Sequence, residues 1–354
     1  MKIIFRTFIV LIFLIIFGIY TNLQKEENSM LEGPDKNTPQ LDKENKLSGA
    51  IEGSDGERPD DGLSVFIGKS IEEVIAEIGE PVRIDPSSYG YDWWIYKPSP
   101  KEYFQIGVED SKVVTLFAIG DDVNVAPFTL GQSIDEIYRF TIVDSEIVVN
   151  NENGTYQFEL SEEDLNTRLL AQFGDIYAQL YLDKYTGKLM SIRYFNEETL
   201  VKQRPYEMVY RGQLIEKKEI SDEEWEEIDI GSTQQIFDIT NIIRENFKLS
   251  TLEWDEDTSI VAKGHSKDMF NENYFSHDSP TFGSLSDRLE SGNILFQKAG
   301  ENIAAKYTDG PAAVHGWLNS EAHRETMLDD EFTHIGVGVF HKYYTQNYIK
   351  KMDE

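Results

Sequence analysis

An internal repeat fixes how the middle of this chain can fold. The repeated segment occurs as Gly68-Lys-Ser-Ile-Glu-Glu-Val74 and again as Gly131-Gln-Ser-Ile-Asp-Glu-Ile137. In both copies a serine precedes acidic residues and apolar residues at helical spacing, which is typical of a capped amphipathic helix. Residues 103–117 and 177–194, which follow the two copies, alternate in the manner of β-hairpins. The repeat therefore predicts a tandem α+β accessory domain over residues 63–212.

The N-terminus indicates where the chain resides. Residues 8–20 form an uninterrupted apolar run that follows Lys2 and Arg6. With its flanking residues the run approaches the roughly 18–20 residues that span a bilayer, and the basic residues favour an N-terminus inside and a remainder outside. We therefore predict that residues 1–22 are an uncleaved signal anchor that holds a single-pass protein in the cell membrane. Secretion after signal cleavage is the alternative, although no small-x-small cleavage site follows the run.

Two polar segments separate the predicted folded parts. Residues 23–62 are rich in Glu, Asp, Lys, Asn, Gly and Pro. Such a segment buries too little apolar surface to offset its ordering entropy, so it is predicted to be a disordered acidic spacer. Residues 213–231 carry a run of acidic side chains, which is typical of a solvated connector. A third folded part then covers residues 232–354.

Charge and cysteine content exclude several functions. The formal net charge is −31 at pH 7, and phosphate recognition needs a basic face, so no nucleic-acid partner is expected. The chain has no cysteine, which excludes disulfides, thiolate nucleophiles and cysteine-ligated zinc. Because all 6 histidines lie between residues 265 and 341, polar chemistry is expected in the last third of the chain.

Seven segments of this last third carry a family resemblance. They fall in order across about 232–350, at residues 241–244, 275–279, 300–303, 317–320, 323–328, 335–338 and 343–346. Together they resemble the CAP superfamily of cysteine-rich secretory proteins, insect venom allergens and plant pathogenesis-related proteins, and they are most similar to its bacterial branch. The tandem domain also resembles the accessory domain that precedes CAP modules in some Gram-positive bacteria. The resemblance implies an α+β chain whose C-terminal part is an α-β-α sandwich with a central antiparallel sheet and an open cavity.

The resemblance also implies a site. In many members two histidines and two glutamates line the cavity, and some members bind a divalent metal such as zinc there. His277 and His323 match the two histidines and Glu301 matches the first glutamate. Ser320 stands where the second glutamate is expected. Glu321 is adjacent, but one helical step turns a side chain by about 100°, so it is only a weak substitute as a metal ligand.

The chemistry of these residues leaves several alternatives open. Two imidazoles and a carboxylate can hold zinc and leave a position for water, and such a metal permits hydrolysis. A metal-free pair of His277 or His323 with Glu301 can instead act as a general base. The structural alternative is that Glu301 accepts hydrogen bonds that fix the surrounding loops. A serine nucleophile at Ser276 or Ser279 is discounted because neither serine has the glycines of a nucleophile elbow.

The remaining histidines are expected to pack or to lie at the surface: His265, His315, His334 and His341.

Three functions fit these observations. We favour a non-enzymatic binding or interaction module outside the cytoplasm, whose partners are cell-wall components, an extracellular protein or a lipid. The alternatives are a metal-assisted, peptidase-like hydrolase that acts on an envelope substrate, and a lipid or sterol carrier suggested by family analogy. The incomplete glutamate set favours the binding module over the hydrolase.

Overall fold

The computed structural model describes residues 31–33, 38–40, 57–141, 143–215 and 218–352. The predicted anchor at residues 1–22 lies outside these ranges. Within them, no helix is both long enough and apolar enough to cross a lipid bilayer.

The accessory region is built mainly of antiparallel strands. After a short 3₁₀ helix at Leu63–Phe66, its elements are α1 (Ile71–Ile78), β1 (Arg83–Pro86), β2 (Asp92–Ser99), β3 (Glu102–Glu109), β4 (Lys112–Ile119), α2 (Ile134–Phe140), β5 (Glu146–Asn151), β6 (Gly154–Glu159), α3 (Glu162–Thr167), β7 (Arg168–Phe173), β8 (Ile176–Asp183), β9 (Lys188–Asn196), α4 (Glu197–Gln203) and β10 (Glu207–Gly212). One sheet has the order β1-β2-β3-β4-β9-β8-β7, and a smaller sheet has the order β10-β6-β5. The two predicted hairpins are confirmed as β3–β4 and β8–β9.

The two copies of the repeated segment make matching contacts. Ser70 and Ser133 each cap the following helix in a capping box, as the sequence predicted. Each serine also forms an antiparallel bridge, Ser70 with Lys112 at the start of β4 and Ser133 with Lys188 at the start of β9. Since β4 and β9 are neighbours, the starts of the two helices lie against adjacent strands of the same sheet.

The C-terminal region is an α-β-α sandwich. Its elements are α5 (Asp222–Asn246), β11 (Glu253–Trp254), α6 (Glu256–Asn271), α7 (Leu285–Ser291), β12 (Phe296–Ala305), α8 (Gly310–Leu318), α9 (Glu321–Met327), β13 (His334–Phe340) and β14 (Tyr343–Lys351). The sheet order is β11-β13-β14-β12. It is antiparallel apart from the short parallel pairing of β11 with β13.

Alternation along β13 explains the two faces of this sheet. Ile335 and Val337 belong to the same buried cluster as Ile239 of α5. Gly336 and Gly338 face α6, whose backbone lies so close that an added Cβ would meet it at 2.2 Å and 1.9 Å, respectively. Glycine therefore allows α6 to pack directly against β13, while Ile335 and Val337 fill the core on the other side of the sheet.

The acidic connector is partly helical. Helix α5 begins at Asp222, inside the segment 213–231 that we expected to be solvated. The Ser221 hydroxyl accepts a hydrogen bond from the backbone N–H of Glu224, and the Glu224 carboxylate accepts one from the Ser221 N–H. Acidic side chains in a first turn also interact favourably with the helix dipole. The charge run is therefore a helix start, and α5 continues from it into the C-terminal core.

Part of the spacer is ordered, which corrects the prediction of disorder over residues 23–62. The Gly33 N–H donates to the carbonyl of Ala305 at 2.8 Å, and the Ala305 N–H donates to the carbonyl of Leu31 at 3.1 Å. Farther along, the Tyr210 N–H donates to the carbonyl of Pro39 at 3.3 Å. Ala305 ends β12 and Tyr210 lies in β10, and both are edge strands. Edge strands present unpaired backbone groups, so a polar segment can dock on them without an apolar core of its own.

The accessory and C-terminal regions share one buried interface. Trp93 of β2 packs in the same apolar cluster as Ile236 of α5 and Val314 of α8. Arg193 of β9 is fully buried and pairs with Asp309 at 2.8 Å. These contacts join the two regions through apolar packing and a shielded ion pair.

Candidate functional site

Three elements bring the predicted site residues together. His277 lies in the loop between α6 and α7, Glu301 in the middle of β12, and His323 on α9. His277 Nδ1 is 2.9 Å from Glu301 Oε1, and the rings of His277 and His323 have their centroids 6.4 Å apart. Gly300 is a strand residue, and an added Cβ there would lie 2.9 Å from the Phe332 ring.

Glu301 is the buried centre of this cluster. Its side chain is 3% exposed, and the guanidinium of Arg288 donates to its Oε2 at 2.5 Å. Burial alone raises the pKa of Glu301, but the hydrogen bond from His277 and the charges of His265 and Arg288 outweigh it and lower the pKa below its ordinary value. Glu301 is therefore ionised, and both of its oxygens are engaged by protein groups.

Arg288 belongs to the candidate site, and sequence reasoning missed it. Besides binding Glu301, its Nη1 donates to the carbonyls of His277 at 2.8 Å and Gly283 at 2.9 Å. One side chain thus fixes both the buried carboxylate and the backbone of the histidine loop. The sequence pattern that could have indicated its burial is its position in α7, between Leu285 and Leu289 on the apolar side of a short helix.

His265 supports the same loop, in agreement with the expected packing role. It is 1% exposed, and its Nε2 lies 3.0 Å from the carbonyl oxygen of Ser276. Burial lowers the pKa of His265, with Glu301 acting in the opposite direction. The nearby Ser279 hydroxyl donates to Asp268 at 2.7 Å and is buried. That bond explains why Ser279 is not available as a nucleophile.

His323 is held from the other side. Its Nδ1 lies 2.7 Å from the Ser320 hydroxyl, and its backbone carbonyl accepts a hydrogen bond from Asn302 at 3.0 Å. Ser320 immediately precedes α9, the helix that carries His323. Ser320 is the N-cap residue, but its hydroxyl makes no capping bond because the imidazole takes it. Burial, and then the charge of His277, lowers the pKa of His323 to about 4, so its ring is neutral at pH 7.

The arrangement leaves one edge of each imidazole for a ligand. His277 has its Nδ1 on Glu301, and His323 has its Nδ1 on Ser320. Over the described part of the chain, neither Nε2 has a hydrogen-bond partner. The His277 side chain is 49% exposed, so at least one of these edges faces solvent.

The fourth predicted ligand, Glu321, lies elsewhere. It is exposed and lines a cavity of about 840 Å³ between the accessory and C-terminal regions, together with Ser320. Among the residues that the structure describes, no group of three or more His, Cys, Asp or Glu side chains is arranged to hold a metal ion.

Comparison with known families assigns both regions. A model of the CAP-associated N-terminal domain matches residues 67–206, and a model of the cysteine-rich secretory protein family, CAP, matches residues 237–349. The uncharacterized membrane protein YlbC of Bacillus subtilis is 50% identical over 351 residues, which are 99% of this chain and 100% of the relative. The uncharacterized protein YkwD of the same organism is 41% identical over 120 residues, which are 33% of this chain and 47% of the relative.

Two solved structures share the whole architecture. An extracellular protein containing an SCP domain, from Bacillus anthracis, is 44% identical with a TM-score of 0.79, over 88% of this chain and 100% of the other. A cysteine-rich secretory protein from Staphylococcus aureus is 25% identical with a TM-score of 0.79, over 91% of this chain and 98% of the other.

Proposed function

Because the chain belongs to the cysteine-rich secretory protein family, CAP, we propose that it is a membrane-tethered binding module of the cell envelope whose ligand meets His277 and His323. The name of one relative as a membrane protein and of another as an extracellular protein supports this location. The proposed ligand is a polar component of the cell wall that hydrogen-bonds to the two imidazole edges.

One observation carries the proposal: both imidazoles are fixed at Nδ1, and among the described residues neither has a hydrogen-bond partner at Nε2. Glu301 orients His277 and Ser320 orients His323, so the rings are pre-organised before any ligand arrives. Pre-organisation reduces the entropy lost on binding. The buried ion pair of Arg288 with Glu301 thus helps to hold His277 in position for a ligand.

The hydrolase alternative has less support from the same contacts. A general base needs a pKa near the working pH, whereas the pKa of His323 is about 4. The Glu301 carboxylate is buried, and its contacts with His277 and Arg288 lower its pKa, which makes it a weak base. The carrier alternative expects an apolar groove, but charged side chains line the wall of the large cavity.

A divalent metal at this site remains part of the proposal, with a changed donor set. His277 and His323 can each offer a neutral Nε2, which is a good zinc donor. Glu301 would not coordinate the metal directly, because Arg288 and His277 occupy it. It would instead orient His277, as carboxylates behind metal-bound histidines commonly do. A bound divalent ion would supply positive charge for an anionic group of the ligand.

The test compares the full-length chain with a variant that carries His277→Ala and His323→Ala. We expect the wild type to be retained by purified cell-wall fragments and to release heat on titration with zinc chloride, and the double variant to lose both responses. His334→Ala is the matched control, since His334 contacts Glu253 and not the cluster. Equal retention of the wild type and the double variant on the cell wall would refute the proposal. Equal zinc heats would remove only its metal component.

A further inference from the structure

The interdomain cavity differs from the histidine site in both place and chemistry. Its volume of about 840 Å³ lies within the range of roughly 300–1,000 Å³ that is usual for ligand pockets. One wall comes from the second half of the accessory region and the other from α8 and α9, while Leu31 of the ordered spacer completes the lining. Such boundaries between regions are common places for binding sites.

The rim of the cavity is acidic on both sides. Glu163 and Glu207 lie on the accessory wall, and Glu321 and Glu325 lie on the α9 wall. All four are exposed, and none forms an ion pair with another residue in the described ranges. Because four carboxylates surround one opening, a positively charged group that enters is attracted from both walls.

The cations of the cavity do not cancel this charge. Arg168 binds the carboxylate of Asp164, and its Nη1 donates to the carbonyl of Pro205 at 3.2 Å. Lys184 is exposed, with its ammonium 5.3 Å from the centre of the Tyr185 ring. The lining therefore keeps an excess of negative charge that its own basic residues do not satisfy.

A buried histidine of α8 forms part of the cavity wall. His315 lines the cavity and is 3% exposed. Its Nε2 is 2.6 Å from the Ser191 hydroxyl, but its Nδ1 is buried without a hydrogen-bond partner in the described part of the chain. Its ring stacks on Tyr181 at a centroid distance of 4.5 Å. A buried polar atom without a partner is costly, but this Nδ1 has almost no accessible surface, so the ring shapes the cavity wall and offers no polar contact to a ligand.

We propose that the interdomain cavity is a second binding site, for a peptide that carries lysine or arginine side chains. Basic side chains match the carboxylates of the rim. The size of the cavity and the spread of its carboxylates over two walls suit an extended ligand better than a single metal ion.

The second site borders the first one. The Ser320 hydroxyl, which holds His323, belongs to a residue of the cavity wall. A peptide in the cavity therefore approaches the back of the His277–His323 site without occupying it.

The test measures fluorescence anisotropy of a labelled peptide of alternating lysine and glycine, with the full-length chain at about 0.15 M salt to screen unspecific attraction. We expect saturable binding, and no binding of the same peptide with glutamate in place of lysine. Two rim variants, Glu321→Gln with Glu325→Gln and Glu163→Gln with Glu207→Gln, should each lower the affinity about tenfold.

A matched control separates the rim from overall charge. Glu223→Gln with Glu227→Gln removes two exposed carboxylates from α5 and should change the affinity less than about twofold. An equal loss in this control, or displacement of the peptide by spermine at matched charge, would overturn the site as a peptide site. His277→Ala should leave peptide binding intact. A failure of peptide binding can therefore be told apart from a failure of the proposed cell-wall binding.

Discussion

The protein buries two arginine–carboxylate pairs and uses them in different ways. Arg193 pairs with Asp309 across the interface of the two regions at 2.8 Å. Arg288 pairs with Glu301 beneath the histidine loop at 2.5 Å. Neither arginine side chain is more than 4% exposed, so the two pairs are alike in chemistry and depth.

They differ in where the remaining hydrogen bonds lead. Arg193 also donates to Gln203 at 3.1 Å, and Gln203 donates to the Tyr91 hydroxyl at 2.6 Å, so that network ends in the core. At the histidine site the second oxygen of Glu301 holds His277, which is half exposed. A buried ion pair thus stabilises an interface when its network closes inside the protein, and it presents a side chain when the network reaches the surface.

Breaking the buried network of Arg193 and Asp309 should have the largest effect. Arg193→Met leaves Asp309 without its partner at the buried interface, and such a loss typically costs about 3–5 kcal/mol of folding free energy. Urea denaturation of the full-length chain measures it. Adding Asp309→Asn should recover part of the loss, because the uncompensated charge is then removed. A variant as stable as the wild type would show that apolar packing alone holds the interface.

Asp229, a buried carboxylate that has no arginine partner among the residues the structure describes, sharpens the comparison. Asp229 on α5 is buried and accepts the His341 N–H at 3.1 Å, and burial raises its pKa from 3.8 to about 7. The folded chain therefore keeps a proton that the unfolded chain releases between these values, and stability falls as the pH rises through that window. We expect Asp229→Asn to add about 2–4 kcal/mol at pH 8 and clearly less at pH 5.

Thermal unfolding at the two pH values measures the effect of Asp229→Asn, and Asp222→Asn on the exposed start of the same helix is the control. An equal gain at both pH values would contradict the assigned pKa.

Breaking the network of Arg288, Glu301 and His277 should alter zinc binding as well as folding. Glu301→Gln keeps the shape of the side chain but removes the charge that orients His277. Loss of such a supporting residue usually lowers metal affinity by about 10–100-fold, which zinc calorimetry detects. Glu290→Gln, an exposed change on α7, should have no effect. An unchanged zinc affinity in Glu301→Gln would mean that His277 does not bind the metal.

The smallest effect concerns the support of His323. Ser320→Ala removes the hydroxyl from Nδ1 and should cost about 0.5–1.5 kcal/mol of stability, with a smaller loss of zinc affinity than Glu301→Gln. Ser320→Thr retains the hydroxyl and should restore both quantities. If alanine and threonine behave alike, the hydrogen bond does not position the ring.

The sequence predicted those features that depend on local pattern or on a family motif. The capping serines Ser70 and Ser133 and the two hairpins follow from short-range spacing. The meeting of His277, Glu301 and His323 followed from the family resemblance, and the structure brings these residues together.

Features that depend on distant partners were not predictable. Arg193 and Asp309 lie 116 residues apart, and nothing near either residue indicates the other. Strand β12 was missed because the stretch around Gly300 lacks an alternating apolar pattern. Glu321 follows the expected glutamate position by one residue, and the helical turn directs it to the interdomain cavity. The interface itself has no signature in composition or period.

For a chain anchored through residues 1–22, as we propose, the docked spacer would limit how far the folded body can stand from the bilayer. Fully extended, the 40 residues of 23–62 would reach about 140 Å. Pairing with Ala305 fixes the chain at Leu31, so only the eight residues 23–30 separate the predicted end of the anchor from the folded body, a reach of at most about 28 Å. With such an anchor, the folded body would stay within this distance of the membrane and would meet only the adjacent layer of the envelope.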